Sequence, residues 1–233
     1  MHLEALWKET TGFFFPVWCA GCGEEGIELC EHCRQQPSYP HTPTIAWRQA
    51  LAGIPVRAAT HYDEHWRRVI LSWKEQGQFR LATPLGGLLH PLVQEVAGGR
   101  RVVLVPVPSS FAGWLKRGVE PSVLLARAVV SQSEQPGWSV QRVLGRSGFA
   151  GSAQKTKRRR DRLRTSRNFR VRRALPREPI VLVDDIVTTG GTLESAARVL
   201  VNAGYGVIGA AVLAATPGVT GANDQDYAEG TSR

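Results

Sequence analysis

"VLVDDIVTTGGT", residues 181–192, runs from an apolar stretch into two adjacent carboxylates and then into hydroxyls and glycines. Its first half has the continuous apolar pattern of a strand buried on both faces, predicted over Ile180 to Val183 with Asp184 and Asp185 at its carboxyl end. Thr188 to Thr192 then lead into a helix predicted from about Leu193 to Asn202. In open α/β sheets the crevice at that end of the strands is where ligands bind. Backbone N–H groups of a Thr/Gly turn at a helix N-terminus bind a phosphate, and glycine lets it approach without a Cβ clash. Ionised carboxylates only accept hydrogen bonds, which suits two vicinal hydroxyls. A nucleotide sugar phosphate satisfies both halves. An Asp N-cap with a glycine turn would account for one acid and one glycine, but not for the whole run. The missing Lys-Ser/Thr ending disfavours a Walker-type NTPase.

Working outward, the same strand and helix alternation continues. "IPVRAATHY" reads as a strand, and Trp66, Val69, Ile70 and Trp73 recur at i, i+3, i+4 and i+7, marking a buried helical face. Lys74 lies beside that stripe near the helix end. "LATPLGGLLHPLVQEVA" reads as a second helical stretch broken at Pro91, and "RRVVLVPVP" as a buried strand. A helix over Pro121 to Val130 and a strand in "YGVIGAAVLAA" complete the pattern. Such alternation predicts an α/β fold whose central, mostly parallel sheet is covered on both faces.

All the cysteines lie in "CAGCGEEGIELCEHC", as two Cys-x-x-Cys pairs. Cys19, Cys22, Cys30 and Cys33 can form a tetrahedral zinc site with no open position for water, hence a structural one. Gly21 and Gly23 allow the tight backbone approach of such knuckles. Cys-x-x-Cys also permits a redox pair, but two close pairs in a chain without a secretion signal favour zinc. His32 reads as an exposed imidazole, since four sulfurs suffice. The aromatics of "FFFPVWC" suit packing beside the knuckles better than base stacking. The expected organisation is a ribbon segment over 1–44, ending in a polar, proline-rich linker, the larger domain over 45–216, and a disordered tail over 217–233.

With 233 residues, 42% of them hydrophobic, a core and one appendage are within reach. Glu4, Lys8 and Glu9 interrupt any signal-peptide pattern, and no apolar run reaches the ~20 residues of a membrane span, so a cytoplasmic location without membrane insertion is expected. The net charge of +9 is local: residues 155–173 hold eleven Lys/Arg and one Asp, leaving 18 bases and 19 acids elsewhere. This segment reads either as a lid over ligand phosphates or as a patch for single-stranded nucleic acid, through Arg158, Arg159, Arg160, Arg162 and Arg164.

"VLVDDIVTTGGT" closely resembles the 5-phosphoribosyl 1-pyrophosphate (PRPP) motif of type I phosphoribosyltransferases. With the four-cysteine ribbon, "SWKEQGQFRLATPLG", "VPVPSSFAGWLKRG" and the segment beginning "AQK", the chain from about Phe13 to Ala215 resembles the ComF/GntX-like phosphoribosyltransferases, which include ComFC-type competence proteins. The resemblance implies the type I fold behind a zinc ribbon. It implies that Asp184 and Asp185 bind ribose hydroxyls and that Thr188, Thr189, Gly190, Gly191 and Thr192 hold the 5-phosphate. Arg117, in the loop Pro108 to Gly118, would approach the pyrophosphate, with Gln154 and Lys155 in a covering loop and magnesium riding on the pyrophosphate. Lys74 matches a family lysine, or is an exposed helix-end cation. Val119, Glu120, Pro121, Lys157 and Thr165 depart from the family pattern, which alters the acceptor side while the phosphate side stays intact. Two functions follow from the resemblance: a PRPP-binding competence or DNA-uptake factor that engages single-stranded DNA, or an active transferase with an unidentified acceptor.

Overall fold

The fold is read from a computed structural model that describes residues 17–35, 44–46, 54–109, 118–134, 137–146, 169–173 and 177–216. After a short helix, α1 (Glu31–Arg34), comes β1 (Thr44–Ala46) and then β2 (Pro55–His61), whose residues alternate between half-buried and buried. Asp63 starts α2 (Glu64–Glu75) by accepting the Trp66 backbone N–H at 2.8 Å, an N-cap that satisfies one orphan donor. The expected stripe is the face that α2 buries: Trp66, Val69, Ile70 and Trp73 are all 0% exposed.

After a single 3-10 turn at Phe79–Leu81, α3 (Ala82–Ala97) runs without interruption through Pro91. This corrects the expected break. An interior proline costs about 3 kcal/mol, but each fully buried aliphatic side chain contributes about 1.5–3 kcal/mol. Leu85 and Leu89 before the proline and Val93 after it are all 0% exposed, so packing on both sides outweighs the lost hydrogen bond. Then follow β3 (Val103–Pro106), α4 (Pro121–Ser131), β4 (Ser139–Val140), β5 (Leu144–Arg146), β6 (Phe169–Val171), β7 (Ile180–Val187), α5 (Gly191–Asn202) and β8 (Val207–Ala215).

The central sheet has the order β1-β2-β8-β7-β3-β4, with β1 antiparallel to β2 and all other neighbours parallel. β5 and β6 form a separate antiparallel pair. Alternation along β3 and β7 divides the core into two layers. Leu104, Val181 and Val183 pack with α2, α3 and α4, whereas Val103, Val105, Ile180 and Leu182 pack with Leu193, Ala196, Ala197 and Leu200 of α5. The parallel sheet is thus covered on both faces, as the apolar runs predict. Among the described residues, no helix is long and apolar enough to cross a membrane. Residues 36–43 and 217–233 lie outside the described residues.

Candidate functional site

Two crossovers of opposite direction create the crevice. From β3 the chain passes through α4 to β4 at one edge, and from β7 through α5 to β8 toward the other. The sheet therefore switches direction between β3 and β7, where a parallel sheet leaves a cleft at its carboxyl end. β3 pairs only as far as Pro106↔Val183, but β8 follows β7 to Val187↔Ala215. Asp184 to Val187 thus overhang β3. β7 is longer than the expected Ile180 to Val183, because the apolar run of β8 supplies partners beyond the aspartates, with Asp184 opposite Val212.

Inside a strand, adjacent side chains point to opposite faces. Asp185 turns toward α2, where Lys74 Nζ lies 2.5 Å from its Oδ2, with the two side chains only 19% and 13% exposed. Lys74 is therefore not the exposed helix-end cation that its position also suggested; it is half-buried against the acidic pair. Asp184 Oδ1 accepts the Asp185 backbone N–H at 2.9 Å, which fixes one carboxylate relative to the other.

The turn after β7 ends at Gly190, whose φ of 68° is left-handed and favours glycine. The N-cap residue Gly190 supplies no side-chain cap to the first-turn N–H groups of α5. Thr188, Thr189 and Gly191 are exposed and Thr192 is half-buried. Among the described residues, a Cβ added to Gly191 would meet only Thr189 Oγ1, 3.9 Å away.

The loop after β3 is held at its root. Ser122 Oγ donates to the Val107 carbonyl at 2.8 Å, and Arg146 donates from Nε to Ser109 O at 2.7 Å and from Nη2 to Pro108 O at 3.0 Å. The Arg146 guanidinium also lies 5.3 Å from the Phe169 ring centre, so the β5–β6 pair anchors this loop. Sequence reasoning missed Arg146; its only signal is an arginine just after the short run Val143–Leu144–Gly145. The structure brings together Lys74, Asp184, Asp185 and Thr188, Thr189, Gly190, Gly191 and Thr192. Arg117, Gln154, Lys155, Arg158, Arg159, Arg160, Arg162 and Arg164 lie outside the described residues.

A second cluster lies on the N-terminal side of the chain. The sulfurs of Cys19, Cys22, Cys30 and Cys33 all lie within 4.8 Å of one another and could hold a metal ion, while His32 is exposed. A tetrahedral site with ~2.3 Å zinc–sulfur bonds needs sulfurs about 3.8 Å apart. Cys22 and Cys30 are 3.7 Å apart. Burial pushes the Cys19 thiol up, but backbone hydrogen bonds of Cys30, Cys22 and Gly21 outweigh it and lower its pKa to about 6. At Cys30 the backbone hydrogen bond of Cys33 lowers the pKa, yet the Glu24 side chain, burial and the Cys22 thiol together raise it to about 11. Cys33 is pushed above the usual thiol range, first by burial and then by its neighbouring sulfurs. One thiolate thus opposes the next, a conflict that a bound cation relieves.

The ribbon is not a free appendage. Cys19, Leu29, Cys30 and Cys33 share the core layer of Trp66 and Trp73, and His65 Nε2 lies 3.2 Å from the Cys33 carbonyl oxygen. A Cβ on Gly21 would come within 2.6 Å of both Cys33 Sγ and His65, which explains a glycine there. Trp18, expected to pack beside the knuckles, is 48% exposed, because the thiols and Leu29 already fill this small core.

The sequence pattern of the phosphoribosyl transferase domain family matches residues 82–233, which include the overhang of β7 and the turn into α5. The chain belongs to this phosphoribosyl transferase domain family. Membership implies PRPP as a substrate. Among solved structures, orotate phosphoribosyltransferase from Aeropyrum pernix is similar at 22% identity, with 68% of each chain covered and a TM-score of 0.33. No curated protein matches the chain. The family match begins at the first residue of α3, so the ribbon and the Lys74 helix of this family member lie outside it.

Proposed function

We propose that the crevice between β3 and β7 binds PRPP. Asp184 and Asp185 take the ribose hydroxyls, and Thr188, Thr189, Gly190, Gly191 and Thr192 enclose the 5-phosphate. Arg117 and the covering residues Gln154 and Lys155 face the pyrophosphate. The observation that carries this reading is the uncapped start of α5, placed by Gly190 next to two carboxylates at the switch point of the sheet.

In this class of reaction the ring carbon becomes electron-poor as pyrophosphate departs, so no nucleophilic side chain is required. The chain's residues act by holding the ribose and by neutralising the leaving charge. Carboxylate oxygens at the crevice suit magnesium, a hard cation, and Asp184 with pyrophosphate oxygens would hold it. When bound, it offsets charge on the leaving group.

Within the family, the four-cysteine ribbon and the order of motifs support a ComF/GntX-like assignment, with zinc as the structural metal. The same features support a three-part organisation: ribbon, larger domain and tail. The basic segment 155–173 supports a role in natural competence or DNA processing, with single-stranded DNA as partner and PRPP as regulating ligand. The alternative, an active transferase with an unidentified acceptor, rests on the intact phosphate side of the motif. Pyrophosphate release with a candidate acceptor favours the alternative, and salt-sensitive DNA binding altered by PRPP favours the first reading.

Calorimetric titration with PRPP and magnesium tests the site. Asp184→Asn combined with Asp185→Asn removes acceptors that face hydroxyl donors, and charge-assisted hydrogen bonds contribute about 1.5–3 kcal/mol each. The double variant should stay folded and lose at least about a hundredfold in affinity. Wild-type affinity in that variant places the ligand elsewhere.

A further inference from the structure

We infer that Lys74 is a positioning residue for the ligand site: it acts through Asp185, holding that carboxylate in place, and not by touching the ligand. The inference rests on the PRPP reading of the crevice. Its basis is the 2.5 Å contact between Lys74 Nζ and Asp185 Oδ2, which joins the end of α2 to the overhang of β7. Both side chains are largely removed from water, where an ion pair loses much of its hydration and gives little net stability compared with apolar packing. Such a pair is better explained by what it orients than by what it stabilises.

α2 is built to hold that ammonium still. Its apolar face is completely buried, Asp63 caps its start, and His65 meets the Cys33 carbonyl of the ribbon. Lys74 directly follows the buried Trp73, and Gly77, with φ of 76°, ends the helix just beyond it. The cation therefore stands on a rigid element, while the strand carrying Asp185 has lost β3 as a neighbour at that point. With Lys74 bound to Oδ2, the other oxygen of Asp185 is oriented as an acceptor for a ribose hydroxyl.

The test measures PRPP affinity and melting temperature together. Lys74→Met keeps the apolar stem and removes the charge; with Asp185 left uncompensated it should melt below wild type, and it should bind PRPP at least about tenfold more weakly. Lys74→Arg keeps a cation that pairs well with carboxylates and should recover most of the affinity. A double-mutant cycle with Asp185→Asn then separates the two ways a lysine could act. If Lys74 works through Asp185, the double variant binds no more weakly than Asp185→Asn alone. Losses that multiply would mean that Lys74 touches the ligand, which overturns the positioning role. Should Lys74→Met fail to fold with Asp185 buried alone, Lys74→Gln takes its place in the cycle. Wild-type affinity in the neutral variants overturns this inference alone, whereas a wild-type protein that binds no PRPP overturns the reading of the site with it.

Discussion

Gly190 and Gly191 are adjacent, yet their backbones place different demands on the residue. Gly190 is left-handed and buried, whereas Gly191 begins α5 exposed, with no atom of the described residues nearer than 3.9 Å to where a Cβ would go. A β-branched side chain in the left-handed region costs about 1–2 kcal/mol, so Gly190→Val should destabilise the fold by that amount and also spoil the turn that aims the N–H groups. Gly191→Ala should leave stability within about 0.5 kcal/mol, yet weaken PRPP binding by placing a methyl where the phosphate approaches. Urea unfolding and calorimetry on the two variants check both expectations; a Gly191→Ala protein with undiminished affinity would put the phosphate elsewhere. That glycines belong in this turn was readable from "TTGGT". Which of the two carries the strained conformation was not, because φ depends on how β7 leaves the sheet. The partner of Asp185 was equally hidden: Lys74 is distant in the chain, and only the docking of α2 on the sheet brings it there.

At the scale of elements, apolar periodicity located α2, α4, α5 and the main strands, since each buries one stripe or both faces. It misjudged two ends. α3 continues through Pro91 because packing outweighs one lost hydrogen bond, and β7 continues past the aspartates because β8 runs beside it. Neither neighbour can be read from the segment itself. The basic element from Lys155 to Arg173 carries its own expectation, argued from charge alone. Its density of arginine and its single aromatic, Phe169, point to phosphate contacts with little sequence preference. Phe169 is moreover only 5% exposed and lies beside Arg146, so it is not offered to a base. Binding to single-stranded DNA should weaken with salt at a log-log slope of about −0.7 per phosphate contact, and replacing Arg158, Arg159 and Arg160 by alanine should flatten the slope by about 2. Fluorescence anisotropy across a salt series measures it. An unchanged slope would leave these charges as a ligand lid or a solvated arm.

Across the whole molecule, the ribbon and the larger unit share one core layer through Cys19, Leu29, Cys30, Cys33, Trp66 and Trp73. Loss of the metal should therefore unfold the ribbon and also lower the melting temperature of what remains, which stays folded on its own sheet. Burying an apolar side chain or two is worth about 2–3 kcal/mol, which corresponds to a fall of about 4–12 °C. One zinc per chain by mass spectrometry, lost when Cys19 and Cys30 are both changed to alanine, together with that shift in a thermal melt, is the expected result; an unchanged melting temperature would mean that the docking contributes nothing. The amino-acid sequence by itself determined the α/β class, the four-thiol cluster and the glycine turn that leads into α5, because each is encoded in local spacing and apolar period. Only the tertiary structure decided where the crevice opens, that Lys74 meets Asp185, and that the ribbon docks on α2. These depend on strand order and helix docking, contacts between segments far apart in the chain, and such contacts leave no mark in the local pattern of either partner.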